Sequence, residues 1–451
     1  MLGLRFKNRL RRRPLGRYRY VRLRWRVLFT LIDFVGELAF GVVRTLRALL
    51  VRAIPGRPPA PAKRLDEPRT ILLIQLDHLG DAILSTVMFP ALRGQYPQAS
   101  IEVLASPSNR ELFEATAEVD RVHVCRVNRL ARTGRLGWTV ATLWWGCRLR
   151  RRRVDLGIDV RGEFPHAMML WLSGAPRRLG WNCGGGGFLL TQSPHFVANR
   201  PEVESRLALL AELGIHPETG ADTPRPAFRP SAQARRRAAQ WWANVRNVSS
   251  RAVRIVMHVG AGTPAKQWPV EHWRELIGRL VVRLGARIVL VGGPGDRAIA
   301  RSILENRPCP DVADWTGCLG LDELAAVLKE ADLFVGADSG PAHLAAAVGT
   351  PAVVLFSGTN SPRQWQPCGE HVSVVRHAVE CSPCHRRRCS RPGHPCMRGL
   401  TPERIAEAVE EGIRDWGLGI RTMHRALSLI PNPQSLIPSP YSPPNSQGGR
   451  R

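Results

Sequence analysis

The sequence is short of acidic residues, and its first 29 residues contain none. Its 451 residues include 37 Asp and Glu against 65 Lys and Arg, which gives a formal net charge of +28. A chain this basic is expected to bind an anionic partner, such as a nucleotide, a phospholipid, a lipopolysaccharide or a nucleic acid. Charge alone does not choose among these partners. The length suffices for two domains, each with its own core.

Long uncharged apolar runs are missing as well. The apolar segment 30–56 is interrupted by charged residues, among them Asp33, Glu37, Arg44 and Arg47. It is therefore not expected to span a bilayer, and no small-residue cleavage site marks it as a secretory signal. Because eleven Arg and Lys lie in the first 29 residues, we predict that residues 1–54 form a basic amphipathic segment on an anionic membrane surface. A nucleic-acid-binding arm and a solvated basic tail remain alternatives.

Regular structure is not expected in two proline-rich stretches. Residues 55–68 read as a linker, and residues 426–451 contain a proline-rich repeat without a burial pattern, so this tail is predicted to be disordered. Between them, short apolar runs alternate with helical patterns, which indicates parallel α/β structure. We predict one domain over residues 69–230 and a second over 231–425.

A glycine-rich dinucleotide fingerprint is missing after the first predicted strand, since the turn 77–81 contains only Gly80. A helix is predicted over residues 82–94, with Asp81 at its start. Asp81 either caps this helix or acts as a base that deprotonates an acceptor hydroxyl. Further along, Gly184 to Gly187 predict a flexible loop that faces a cleft or solvent.

Two glycine-containing corners in the second half carry the strongest ligand signals. The first follows a predicted strand and contains Gly260 and Gly262, with Lys266 just beyond as a point charge for a phosphate. The second reads DSGPAH over residues 338–343, between an apolar run and an alanine-rich helix. Amides of Gly340, Ala342 and His343 at that helix start are expected to be free for a phosphate. A well-capped helix without a ligand is the alternative.

Cysteine is concentrated in one late segment. The spacing C-x2-C-x4-C-x6-C is formed by Cys381, Cys384, Cys389 and Cys396. These thiols predict either a tetrahedral zinc site or a reduced cluster that shapes a loop, and the second interpretation is preferred. The other six cysteines are scattered, which is more typical of a reducing cytoplasm than of a disulfide framework.

Taken in order, five segments resemble glycosyltransferase family 9, whose familiar members are the ADP-heptose:lipopolysaccharide heptosyltransferases. They are LGDAILSTVMFPALR, HVGAGTPAKQWPVEHWREL, LVGGPGD, DWTGCLGLDELAAVLKEADLFVGADSGPAHLAAAVGTPAVVLF and CSPCHRRRCSRPGHPCM. The resemblance spans residues 69–416. It implies a GT-B architecture, in which two Rossmann-like domains with parallel sheets face each other across a cleft. The N-terminal domain would hold the acceptor and the C-terminal domain the nucleotide sugar.

The resemblance also implies roles for single residues. Asp81 matches the proposed general base of the family, and Lys266 matches its donor-phosphate lysine. The family corner that holds the donor pyrophosphate is matched by Asp338, Ser339, Gly340, Pro341 and His343. Asp296 falls near an acid that binds the nucleoside ribose. This chain departs from some members by carrying Gly260, Ala261 and Gly262 where they carry hydroxyl residues.

The function implied is inverting transfer of a sugar, by resemblance heptose from ADP-heptose, to a hydroxyl of a lipopolysaccharide or other glycan acceptor. No metal or other cofactor is expected, because no Asp-x-Asp pair is placed to hold a divalent cation. The enzyme is expected in the cytoplasm, peripheral at the inner face of the inner membrane. Two alternatives remain, a nucleotide-sugar epimerase or hydrolase on the same fold and a basic nucleic-acid-binding protein, although no specific nucleic-acid motif is present.

Overall fold

The computed structural model describes residues 23–53, 67–126, 134–218, 223–245, 252–305 and 309–417. Most of the basic N-terminal arginines, nearly all of the predicted linker and the whole predicted tail lie outside these residues. The described chain forms two separate parallel sheets, one before residue 181 and one after residue 253. The α/β prediction with two Rossmann-like sheets is thereby confirmed, while the domain boundaries near residues 69, 231 and 425 stay predictions.

The first sheet has five parallel strands in the order β3-β2-β1-β4-β5. The strands are β1 (Thr70–Gln75), β2 (Ser100–Ala105), β3 (Arg121–Val124), β4 (Leu156–Asp159) and β5 (Arg177–Gly180). Its helices are α1 (Leu23–Ala53), α2 (Leu79–Ser85), α3 (Met88–Gln95), α4 (Arg110–Glu114), α5 (Gly134–Arg150), α6 (Phe164–Leu172) and α7 (Glu202–Ala211). Since β1 is central and nearly every residue of it is buried, its carboxyl end opens into the middle of the domain surface.

The second sheet has six parallel strands in the order β11-β10-β9-β6-β7-β8. If β6 is counted as the first strand of this sheet, the order is that of the complete Rossmann fold. The strands are β6 (Arg254–His258), β7 (Arg287–Val291), β8 (Val312–Asp314), β9 (Leu333–Ala337), β10 (Ala352–Phe356) and β11 (Val372–Arg376). The helices are α8 (Ala232–Ala243), α9 (Val270–Leu284), α10 (Arg297–Leu304), α11 (Leu321–Lys329), α12 (Gly340–Val348), α13 (Pro362–Trp365), α14 (Pro395–Arg398) and α15 (Pro402–Asp415). The crevice at the strand ends of β6 and β9 is where such sheets bind ligands.

The single helix predicted over residues 82–94 is instead two helices, α2 and α3. Pro90 has no amide to donate to the carbonyl of Thr86, which is the hydrogen bond that a continuous helix needs there. That carbonyl accepts from the amide of Phe89 instead, at 3.2 Å, and the Thr86 hydroxyl donates to the carbonyl of Ile83. The helix therefore breaks after Ser85, and α2 begins at Leu79, before Asp81.

Sequence analysis predicted that the glycine loop 184–187 is flexible and faces a cleft or solvent. This prediction is wrong, because α1 packs on the loop. Gly184 to Gly186 are buried, and the amide of Gly186 donates to the carboxylate of Asp33 at 2.7 Å. A side chain on Gly185 would overlap the ring of Phe29. The glycines are needed for the close approach of a helix, which sequence alone did not indicate. None of the helices in the described ranges has the length and apolarity needed to cross a membrane.

Candidate active site

The carboxyl edges of the two sheets meet where α2 packs on α12. A Cβ atom on Gly80 would lie 2.8 Å from the His343 ring, and one on Gly340 would lie 3.1 Å from Leu79. Both glycines therefore allow the two helices to come into contact at their first turns. Because each helix follows the central strand region of its sheet, this contact brings side chains from both halves of the chain to one place.

Asp81 lies in the first turn of α2, with only 7% of its surface exposed. Its carboxylate oxygen Oδ1 accepts from Nη1 of Arg161 at 2.7 Å and lies 3.6 Å from Nη2 of Arg206. The residue before the helix is His78, whose side chain makes no cap bond. The side chain of Asp81 is thus held and oriented by two arginines.

Arg161 is held by several carboxylates at the end of β4. Its Nε lies 3.5 Å from Asp77, in addition to the bond to Asp81. Burial acts to lower the pKa of this guanidinium, but the charges of Asp81 and Asp77 outweigh burial and raise it. The backbone amides of Arg161 and Glu163 both donate to Asp159, at 3.0 Å each. The last residue of β4 therefore fixes the turn that presents Arg161.

Asp159 is itself paired with His166 on α6. The two side chains are 3.0 Å apart between Oδ1 and Nδ1, and both are almost fully buried. Burial acts to lower the pKa of His166, but the neighbouring Asp159 raises it to about 9. His166 is therefore protonated at neutral pH and forms a buried ion pair with Asp159 under the turn 159–163.

Lys266 and Asp338 form the centre of the second half of the site. The ammonium group of Lys266 donates to Oδ2 of Asp338 at 2.6 Å and to its carbonyl oxygen at 3.2 Å. The amide of Asn360 donates to the same carboxylate oxygen at 3.0 Å. An ammonium group has three N–H donors, so one remains for a phosphate oxygen while Asp338 holds the others in place.

Ser339, His258 and Asp296 lie in a row beside this pair. The Ser339 hydroxyl lies 3.1 Å from Nδ1 of His258, whose Nε2 lies 3.6 Å from the Asp296 carboxylate. Burial acts to raise the pKa of Asp296, but the hydrogen bond and charge of His258 lower it below its usual value. Gly260 is required here because a side chain would overlap this carboxylate. A Cβ atom on Gly262, by contrast, would meet nothing within 4 Å.

The amides expected to be free at the start of α12 are only partly so. The amides of Ala342 and His343 donate to the carbonyl of Ser339, at 3.1 and 3.4 Å, because the first turn is tightly wound. Pro341 has no amide proton. Within the described ranges, the amide of Gly340 has no hydrogen-bond partner, so one amide at the positive end of the helix dipole remains for an anion.

His343 joins the two halves of the site. It is 5% exposed, and its Nδ1 has no hydrogen-bond partner among the described residues. Burial lowers its pKa, against the opposing charges of Asp338 and Asp81 and together with the charge of Lys266. A neutral imidazole thus lies within electrostatic range of both Asp81 from the first half of the chain and Lys266 from the second.

The cysteine segment packs beside Lys266, and in the described residues its thiols are not grouped as metal ligands. Within the described ranges no three His, Cys, Asp or Glu side chains are arranged to hold a metal ion, and Cys381, Cys384, Cys389 and Cys396 are all free thiols. Burial raises the pKa of the Cys396 thiol, which disfavours the thiolate that metals bind. The zinc alternative is therefore not supported by the geometry.

The same segment contacts both pieces of backbone around Lys266 and Asn360. The carbonyl of Arg387 accepts from the amide of Ala265 at 3.1 Å, and Nε2 of His394 lies 3.0 Å from the Ala265 carbonyl. The amide of His385 donates to the carbonyl of Thr359 at 3.0 Å. The loop thus holds the lysine turn and the asparagine turn in register.

Several site residues were not predicted from the sequence. Arg161 was missed, although its place directly after a predicted strand at 154–160 was a usable signal. His258 was also missed, although it is the last residue of β6. Arg206, on α7, and Asn360, after β10, gave no local signal because they reach the site only through the packing of elements distant in sequence.

Comparisons with known proteins agree with this geometry. Residues 144–394 match the family model for glycosyltransferase family 9 (heptosyltransferase). The chain is 27% identical to lipopolysaccharide heptosyltransferase 2 of Escherichia coli K12 over 75% of its length and 96% of that protein. It is 25% identical to lipopolysaccharide heptosyltransferase 2 of Salmonella typhimurium over 77% of its length and 99% of that protein.

Two solved structures share its fold. One is ADP-heptose lipopolysaccharide heptosyltransferase II of E. coli, with a TM-score of 0.63 and 24% identity over 77% of this chain and 99% of that one. The other is a family 9 glycosyl transferase of Veillonella parvula, with a TM-score of 0.65 and 20% identity over 77% of this chain and 98% of that one. The GT-B prediction is thereby confirmed. The chain belongs to glycosyltransferase family 9 and is a glycosyltransferase.

Proposed function

We propose that this enzyme transfers heptose, with inversion, from ADP-heptose to a hydroxyl of a lipopolysaccharide or other glycan acceptor. The observation that carries the proposal is the meeting of Asp81 from the first sheet with Lys266 and Asp338 from the second around His343. A base and a cationic phosphate site on opposite sides of one cleft are what an acceptor and a nucleotide sugar require.

The donor diphosphate would bind at the start of α12. The free N–H of Lys266 and the amide of Gly340 supply positive charge where the nucleoside diphosphate leaves. The carboxylate of Asp338 keeps Lys266 in place, and the Ser339 hydroxyl contacts His258 beside it. Asp296, with Gly260 next to it, would accept hydrogen bonds from the ribose. These protein groups neutralise the leaving group, so we propose that no metal or other cofactor is required.

The acceptor would bind over the first sheet, with its hydroxyl at Asp81. Asp81 would take the hydroxyl proton while the oxygen attacks the anomeric carbon from the face opposite the diphosphate, and the C1–O bond to the diphosphate breaks. Arg161 and Arg206 orient the carboxylate. Because the attacking and leaving groups lie on opposite faces, the configuration at the anomeric carbon inverts.

Incubation of the purified enzyme with ADP-heptose, with and without a lipopolysaccharide core acceptor, tests the proposal. We expect ADP release that depends on the acceptor and a glycosylated product seen by mass spectrometry. ADP release without acceptor, or conversion of the sugar without ADP release, would favour the hydrolase or epimerase alternative. UDP-, GDP- and dTDP-linked sugars serve as donor controls, and thermal stabilisation by one nucleotide class identifies the base.

We further propose that the reaction takes place at the cytoplasmic face of the inner membrane. Support comes from the names of the relatives, which act on lipopolysaccharide, and from the basic N-terminal sequence. A lipid-linked acceptor is confined to a membrane, so an enzyme held at that surface meets it at a high effective concentration.

A further inference from the structure

Large apolar side chains are exposed in one region of the described molecule. Seven of them lie on α1, three on α5 and one on α6, whereas only Val197 and Val282 lie elsewhere. Single exposed apolar residues are ordinary, but a group of this size on adjoining helices marks an interaction surface. All three helices belong to the half of the chain that contains Asp81.

The inner face of α1 is built into the protein. Asp33, only 2% exposed, accepts from the amide of Gly186. Phe29 packs at 6.3 Å from Phe164, and Phe40 at 5.3 Å from Phe188, measured between ring centroids. Gly36 leaves room for the Phe188 ring. These contacts recur every three or four residues and fix which way the helix faces.

The outer face of α1 is apolar as well. It consists of Val27, Leu28, Leu31, Phe34, Val35, Leu38 and Val42, which are between 41% and 62% exposed. At 3.6 residues per turn these seven positions cover an arc of about 120°, opposite the docked face, and between Val27 and Val42 no charged residue falls inside it. A helix that is apolar on both faces needs cover on both, and the described residues cover only one.

A second helix continues the exposed apolar surface. Val140, Leu143 and Trp144 are exposed on α5, and the guanidinium of Arg148 lies 5.1 Å from the Trp144 ring. The helix α6 connects α5 to α1, since Trp171 packs 5.7 Å from Phe40 and Leu172 fills the space beside Gly146. Exposed Trp next to Arg is typical of side chains at a membrane interface, where the ring enters the headgroup region and the cation stays at the phosphates.

We propose that the outer face of α1 and the exposed face of α5, together the docking face, bind the surface of an anionic lipid bilayer. Charge complementarity selects this occupant: nine Arg and Lys and no acid precede α1 in residues 1–22, and α5 ends with Arg148 and Arg150. An apolar arc flanked by cations is the pattern of an interfacial helix. The buried Asp33 and its partner Gly186 hold α1 on the protein, so it lies along the membrane.

This inference rests on the proposed function, because docking through this face serves the transfer reaction. It places the proposed acceptor-binding half on the membrane. It names a surface that includes α5, beyond the N-terminal segment. The second half of the described chain does not extend the docking face, because its one large exposed apolar side chain, Val282 on α9, is isolated. Substrate exchange on the nucleotide side would therefore take place in water.

Co-sedimentation of the full chain with vesicles tests the docking face. The vesicles contain phosphatidylglycerol and phosphatidylethanolamine, and phosphatidylcholine vesicles are the neutral control. The variant Leu31→Gln/Phe34→Gln/Leu38→Gln is expected to lose roughly tenfold or more of its partitioning into anionic vesicles. Trp144→Gln is expected to lose part of it. Val282→Gln, equally exposed and apolar but outside the face, is the matched control and is expected to bind like the wild type.

Melting temperature and transfer to a soluble acceptor fragment are measured on the same proteins. Both are expected to be unchanged, because the substituted side chains are exposed and lie on helices that contribute no residue to the site described above. Wild-type protein that does not bind anionic vesicles, or a triple variant that binds as well as the wild type, would overturn the proposal. A wild-type dimer that the triple variant converts to a monomer would also overturn it, by assigning the face to a second copy. Wild-type protein that binds anionic vesicles but does not transfer the sugar would instead count against the proposed function.

Discussion

At the residue scale, the site depends on Arg161, whose positive charge offsets the negative charges of the neighbouring carboxylates. Asp81, Asp77 and Glu163 all lie within 4.0 Å of its guanidinium. Removal of one partner from a buried charge cluster leaves the others uncompensated and typically costs about 3–5 kcal/mol. The same change removes the hydrogen bond that orients the proposed base, so activity should fall together with stability.

We therefore expect Arg161→Gln to lower the free energy of unfolding by about 3 kcal/mol and to lower kcat roughly 100-fold. Arg161→Lys should recover part of the stability but little of kcat, because an ammonium cannot reproduce the planar fork. Denaturant unfolding and steady-state transfer assays measure the two effects. Arg398→Gln, which breaks an exposed ion pair with Glu271, is the control. Equal behaviour of the Arg161 and Arg398 variants would contradict the assigned role.

At the element scale, the cysteine loop supports the donor side through backbone contacts. His394→Asn removes the contact to the Ala265 carbonyl, and with it part of the restraint on Lys266. One lost hydrogen bond of about 1 kcal/mol corresponds to a roughly fivefold increase in KM for the donor. His385→Asn is the matched control, because both histidines have a left-handed backbone that asparagine tolerates. If both variants show the same KM, the loop does not position the lysine through His394.

A second element, the turn after β4, is expected to make stability depend on pH. The pKa of His166 is raised from 6.5 to about 9 in the folded protein. Its stabilisation is thus fully present below pH 6.5 and is lost as the pH rises through 9, a change on the order of 3 kcal/mol. We expect the free energy of unfolding to decrease over this window more steeply in the wild type than in His166→Gln. Parallel pH profiles of the two proteins would refute the buried ion pair.

Sequence analysis predicted one helix where the structure has two, α2 and α3. This difference shows why the types of the elements are easier to predict than their boundaries. The short apolar runs indicated parallel α/β structure because fully buried parallel strands consist almost entirely of such residues. The break between α2 and α3 depends on Pro90 and its effect on one carbonyl. The burial of Gly184 to Gly186 depends on a helix more than 140 residues earlier, so no local pattern could report it.

At the scale of the whole molecule, the site is made by two similar sheets that each contribute half. The strand ends and their glycine corners predicted Asp81, Lys266 and residues 338–343, because parallel sheets place ligands there, and the family resemblance added Asp296. The structure brings all of them to one crevice. What sequence could not indicate was the pairing across the crevice, such as Gln364 donating to Glu202 at 2.7 Å or Arg161 lying over Trp365. Such contacts depend on how the halves pack.

The central claim is that one carboxylate of the first half acts on an acceptor while the second half holds the donor. The most direct measurement compares Asp81→Asn with the wild type in two assays, transfer of heptose to acceptor and thermal stabilisation by ADP-heptose. We predict a loss of kcat of roughly 10²- to 10⁴-fold with donor stabilisation retained. Transfer at the wild-type rate, or loss of donor stabilisation with transfer unimpaired at saturating donor, would contradict the division of roles between the two halves.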